Sequence, residues 1–144
     1  MILLANTEAE AGFGAAIGKL TGGQGAVDAL VHGIGFVEAD PGVRSVGFGG
    51  WPNMLGDMEF DAGVMDGTTR DVGAVGAVPQ TLHVAALARE VMRRLPHVML
   101  TGEGARRFAD EIGFTRDDTL CEDSRTVWWN KLDTLLSESE KAAF

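Results

Sequence analysis

Few residues in this 144-residue chain have the chemistry to act as a nucleophile, base or metal ligand, and most read more simply as structure. Cys121 is the only cysteine, and Glu122 and Asp123 follow it. Their charges would raise a thiol pKa, which marks Cys121 as an inert structural residue. His32, His83 and His97 fall on separate predicted elements with no metal-ligand spacing and no cysteine pair to complete a set. Each reads as a surface or core-edge histidine. Asp57, Glu59 and Asp61 alternate along one strand and could meet a hard cation, although the wet face of a strand needs no other explanation. Gly47, Gly49 and Gly50 lack the following helix with Lys-Ser or Lys-Thr that a phosphate loop requires, so a backbone bend is their simpler purpose. The run from Gly12 to Gly18, GFGAAIG, is a weak dinucleotide signature because no convincing parallel βαβ unit follows it. Trp128 and Trp129 suit packing or an interface. Ser45, taken alone, is a serine at a turn.

The elements that would position these residues follow from pattern. Ile2 to Ala5 reads as a short buried strand, and Glu8 to Leu20 as a glycine-interrupted helix stopped at Gly22-Gly23. Val27, Leu30, Val31, Ile34 and Val37 recur at helical spacing, predicting an amphipathic helix over Gly25 to Ala39 that ends at Asp40-Pro41. Met58, Phe60, Ala62 and Val64 alternate with polar residues, predicting a strand with one apolar face. The polar loop Asp66 to Arg70 should join it to Val72 to Val78 as an antiparallel hairpin. Leu82 to Leu95 is the clearest helix, with Arg89, Arg93 and Arg94 toward its negative end. A strand at His97 to Leu100 and a helix at Glu103 to Ile112 follow. Ser124 is expected to cap a last helix with Trp128, Leu132, Leu135 and Leu136 on one stripe. The whole is an α+β arrangement of helices on mostly antiparallel strands, with edges left over as though half a sandwich were present. Residues 1–136 form the body, and 137–144, SESEKAAF, form a mobile tail.

Several motifs in register carry a resemblance. VEADP, SVGFGGWPN, FDAGVMDGTT, DVGAVGAV, AREVM, PHVMLTGEGA and FADEIGF occur in order between Gly22 and Phe114. Together they resemble the α subunit of the glycosylasparaginase and isoaspartyl peptidase family, the N-terminal threonine hydrolases, with VGFGGWPN and MDGTTRDVGAVG favouring the glycosylasparaginase branch. The resemblance implies the N-terminal half of an αββα four-layer sandwich of the N-terminal-nucleophile type. It implies hydrolysis of a β-aspartyl amide: the glycan–asparagine link, asparagine, or an isoaspartyl dipeptide.

In that family a precursor cleaves itself and the nucleophile is the new N-terminal threonine of a β chain. The resemblance therefore puts no catalytic nucleophile here, a cleavage site near Phe144, a β-chain partner, and an (αβ)2 assembly. Ser45 matches the serine that lies beside the nucleophile and helps orient it and the substrate. Relatives carry a pocket tryptophan just after the first strand, where this chain has Asn6-Thr7, and Trp51 could supply an aromatic wall instead. Plant-type relatives hold sodium on carbonyls of the loop matching Val37 to Gly47; this loop follows the other branch, so no metal and no cofactor are expected. The alternative is a non-catalytic protein that keeps the scaffold and binds a ligand or partner with its glycine loop.

Bulk properties narrow the setting. A formal net charge of −9 argues against nucleic acid as a partner, since phosphate binding needs clustered cations. A lone cysteine builds no internal disulfide, which suits a reducing, cytoplasmic compartment. No apolar run approaches the roughly 20 residues that span a bilayer, and Met1 to Ala5 lacks the basic flank of a signal peptide.

Overall fold

A computed structural model describes residues 2–142. A 3-10 turn at Thr7–Ala9 leads into α1 (Glu10–Thr21), followed by α2 (Ala26–Ala39), β1 (Glu59–Met65), β2 (Val72–Pro79), α3 (Val84–Arg94), β3 (Met99–Thr101), α4 (Gly102–Glu111), α5 (Glu122–Leu135) and α6 (Glu138–Lys141). This is a mixed α+β fold with one small sheet of order β1-β2-β3. The expected hairpin is present, with β1 and β2 antiparallel, but β2 and β3 are parallel because α3 carries the chain across between them. Among the described residues no helix is long and apolar enough to cross a membrane.

The period-two pattern of β1 is realised: Met58 and Phe60 point into the core, while Glu59 and Asp61 stay exposed. α3 buries Val84, Ala85, Leu87, Ala88 and Val91, one stripe at 3.6-residue spacing, against the hairpin. Val75 and Val78 from β2 and Ala105 and Ala109 from α4 complete that core. On the far side α1 crosses α2 so closely that a Cβ on Gly12 would lie 2.0 Å from the Gly33 carbonyl oxygen. Gly12 thus serves helix contact from inside α1 and makes no phosphate turn. Asp28 of α2 pairs with Arg89 at 3.1 Å and Arg93 at 2.8 Å on α3, fixing the two helices together.

Arg106 has no exposed side-chain surface, although it is charged. Its guanidinium donates to the carbonyl oxygens of Gln80 at 3.0 Å and Phe114 at 3.1 Å, to the Thr81 hydroxyl, and to Asp110 at 2.8 Å. It joins the loop after β2 to α4 and to the turn beyond it.

Three expectations need correction. Ile2 to Ala5 is not a buried strand: Ile2 is 95% and Leu4 91% exposed, and no ladder partner lies alongside among the described residues. Ser124 does not cap the last helix. Cys121 occupies that position, and Ser124 is buried in the first turn with its hydroxyl turned to the Gly49 carbonyl. Of the apolar stripe on α5, Leu132 is buried but Leu135 is 61% exposed. Beyond it, Ser137 and Glu140 form a reciprocal capping box that starts α6. Ala143 and the cleavage region expected near Phe144 lie outside the described residues.

Candidate functional site

The free edge of β1 borders a groove of about 420 Å³, whose other walls come from the 3-10 turn, the end of α2, the glycine loop and the start of α3. Asn6, from before the 3-10 turn, and Ser45 and Trp51, from the loop between α2 and β1, all line it, together with Glu8, Glu38, Glu59 and Asp61. Thr7 does not. Trp51 is at once half exposed and part of the wall.

The glycine loop holds Ser45 in place. Asp40-Pro41 ends α2, and the chain returns so that Phe48 N–H donates to the Glu38 carbonyl oxygen at 2.7 Å. Gly47 adopts φ +61°, and a Cβ there would lie 2.0 Å from the same oxygen. Only glycine permits that approach. Glu38 itself is 3% exposed, and one carboxylate oxygen accepts the Ala85 N–H at 2.9 Å, satisfying an orphan donor in the first turn of α3. The other faces His83 Nδ1 at 3.4 Å, and this contact raises the His83 pKa above its ordinary value. His83 is therefore the core-edge residue that the sequence suggested.

From the opposite side the loop is tied to α5. Gly49 N–H donates to the Thr119 carbonyl at 2.9 Å. Arg44 reaches the Gly49 carbonyl at 3.3 Å, Ser124 Oγ at 3.0 Å, Cys121 Sγ at 3.5 Å and Asp123 at 3.1 Å. This cluster overturns the expectation for Cys121. Its pKa is lowered, first by the Ser124 hydroxyl and amide and then by the Arg44 guanidinium, while Asp123 is turned away to pair with Arg44. Proximity in sequence to two carboxylates is outweighed by a hydrogen-bond donor and a cation beside the sulfur.

The strand carboxylates have defined tasks. The register shifts between Phe60 and Ala62, leaving Ala77 of β2 in a bulge at φ +49°, and Asp61 Oδ1 accepts the Ala77 N–H at 2.8 Å. Glu59 accepts from Asn53 Nδ2 at 2.9 Å. Among the described residues no three His, Cys, Asp or Glu side chains converge as a metal-ligand set. Glu8 is the groove residue that sequence reasoning missed: its Oε2 accepts the Ser45 hydroxyl proton at 2.8 Å. An acidic residue in an opening helical turn is ordinary in sequence, and its partner stands 37 positions away.

The sequence model of the asparaginase family matches residues 7–143. This chain belongs to that family. It is 38% identical to the N(4)-(β-N-acetylglucosaminyl)-L-asparaginase of Rattus norvegicus over 108 residues, covering 75% of this chain and 31% of the rat protein. Identity to the protein of that name from Elizabethkingia miricola is 39% over 115 residues, 80% of this chain and 34% of the relative. With the isoaspartyl peptidase/L-asparaginase of Danio rerio it is 40% over 111 residues, 76% of this chain and 36% of the relative. The chain thus spans about a third of the length of the curated relatives it matches.

Proposed function

We propose that this chain is the α subunit of an autoproteolytically processed amidohydrolase that cleaves a β-aspartyl amide with an N-terminal threonine carried on a β chain. The sandwich would be completed by that β chain against the free edge of β1, giving four αββα layers, and two αβ units would associate. The body is 1–136, with 137–144 leading to the cleavage site. The observation that carries this reading is the groove along β1, where Ser45 stands exposed between Asn6 and Trp51 in a chain of asparaginase ancestry.

In the reaction, the threonine hydroxyl oxygen attacks the side-chain carbonyl carbon while its proton passes to the threonine's own α-amine. The C–N bond breaks, the leaving amine takes that proton, and an acyl ester remains. Water cleaves the ester, releasing aspartate and restoring the hydroxyl. Ser45 borders the incoming nucleophile and helps orient it, Asn6 borders the substrate's approach, and Trp51 is an aromatic wall for the leaving group. No cofactor or metal enters this scheme, and the lone cysteine suits a cytoplasmic enzyme.

The test is to incubate the processed protein with N4-(β-N-acetylglucosaminyl)-asparagine, asparagine and isoaspartyl dipeptides and to quantify aspartate. Turnover of any of the three, lost on converting the threonine to alanine, is the expected result. A folded protein inert on all three, yet retaining a ligand or partner at the glycine loop, is the result that replaces the hydrolase with a binding scaffold.

A further inference from the structure

The groove is lined by four carboxylates and, among the described residues, by no lysine or arginine. Three of the four are committed to the scaffold. Glu38 on α2 holds the start of α3 and faces His83, Glu59 on β1 holds Asn53, and Asp61 on β1 holds the bulge amide of Ala77. Glu8, from the 3-10 turn, is different: its one hydrogen bond is to a groove hydroxyl, that of Ser45, at 2.8 Å. A serine has a single hydroxyl proton and two acceptor lone pairs. With the proton given to Glu8, whatever meets Ser45 from the groove must donate.

We propose that Glu8 is a positioning residue for the nucleophile: by taking the hydroxyl proton of Ser45 it commits Ser45 to accepting, and the pair forms a negatively charged seat for the amine-bearing end of an N-terminal nucleophile. The inference rests on the N-terminal threonine reading above. A neutral α-amine has two N–H bonds and one lone pair. Donating one N–H to Ser45 leaves the lone pair free to turn to the threonine's own hydroxyl, the geometry that self-activation needs. The nearby carboxylate also stabilises the protonated amine, so more of it stays charged at a given pH. Glu38, Glu59 and Asp61 act in the same direction, but their partners fix them in the walls.

The test uses the full-length, processed enzyme with Glu8→Gln, Glu8→Asp, Ser45→Ala and the Glu8→Gln/Ser45→Ala double variant. In Glu8→Gln the acid limb of kcat/KM moves down by roughly half to one pH unit, the effect of one charge a few ångströms away across partly screened solvent. Its kcat falls roughly tenfold, the worth of one charged hydrogen bond, while KM changes little. Glu8→Asp keeps the wild-type limb and recovers part of kcat. The double variant has a kcat no lower than Ser45→Ala alone, because Glu8 orients the amine through Ser45, while the loss of its charge still moves the acid limb.

The pH dependence of acetic anhydride labelling at the β-chain N-terminus gives the amine's titration independently of turnover, so a variant with poor kcat remains informative. Thermal midpoints and the extent of precursor cleavage are compared for every variant. A wild-type enzyme that turns over substrate, with an acid limb and amine titration unmoved in Glu8→Gln, overturns the role of Glu8 alone. A wild-type sample with no N-terminal threonine overturns the parent reading and this one with it.

Discussion

Replacing Gly47 with alanine should loosen the groove at its base. The added Cβ would sit 2.0 Å from the Glu38 carbonyl oxygen and 2.5 Å from its carbonyl carbon, backbone atoms held by the last turn of α2. Since α2 is packed on α1 and bridged to α3, the loop must be what moves. Holding alanine at φ +61° costs roughly 1–2 kcal/mol relative to glycine. Withdrawal of the loop also sacrifices the Phe48 N–H to Glu38 bond, worth about 0.5–1.5 kcal/mol. The total is about 1.5–3.5 kcal/mol, which at a typical urea slope lowers the unfolding midpoint by roughly 1–2 M. Gly104→Ala is the control. Gly104 lies inside α4 with nothing within 4 Å of its added Cβ, so alanine there should stabilise by roughly 0.5–1 kcal/mol. The assay is urea denaturation of both variants followed by tryptophan fluorescence. A Gly47→Ala midpoint within about 0.5 kcal/mol of wild type would refute the geometry of the glycine loop.

Other perturbations probe the remaining supports. Arg106→Met should cost about 3–5 kcal/mol by removing the buried guanidinium that ties the Gln80 and Phe114 carbonyls and Asp110 together, whereas Arg107→Met on the exposed face should stay within about 0.5 kcal/mol; both are read by the same denaturation assay. Alkylation of Cys121 by iodoacetamide at neutral pH should be several-fold slower in Arg44→Met, and equal rates would remove Arg44 from the account of the thiol. The Arg93 bond holds the Asp28 pKa below its ordinary value, so Asp28 contributes stability above about pH 4 that is lost on acidification; Asp28→Asn should flatten that acid slope in a pH series of thermal midpoints. His83 has the opposite sign: raised by Glu38, it contributes fully below about pH 6.5 and loses that contribution as pH climbs through its folded value, a slope that His83→Gln should remove.

What could be read in the sequence was set by periodicity. α3 and the β1–β2 hairpin were legible because their apolar residues recur at 3.6 and at 2, and these elements carry the core. Ile2 to Ala5 shows the limit of that signal: an apolar run reads as a strand, but a strand also needs a neighbour to pair with, and here its residues stand exposed. β3 was found without its direction, because parallel pairing depends on the path of α3 and leaves no trace in three residues. Ser45 was singled out by a shared family motif and Asn6, Thr7 and Trp51 by a departure from it; the fold places Ser45, Asn6 and Trp51 on one groove and leaves Thr7 off it. Cys121 and Glu8 were misread or missed for one reason. Cys121 is governed first by the Ser124 hydroxyl and amide and then by Arg44, 77 positions away, and Glu8 by Ser45, 37 positions away. Only the folded chain makes these contacts, while neighbouring residues suggested a repelled thiolate and an ordinary helix start.

The central claim is that a threonine at the head of a second polypeptide works against this chain. Intact mass and N-terminal sequencing of every polypeptide in the purified protein test it most directly. The account predicts a second chain beginning with threonine in a one-to-one ratio with this one. A single uncleaved polypeptide, folded and without such a terminus, would contradict it.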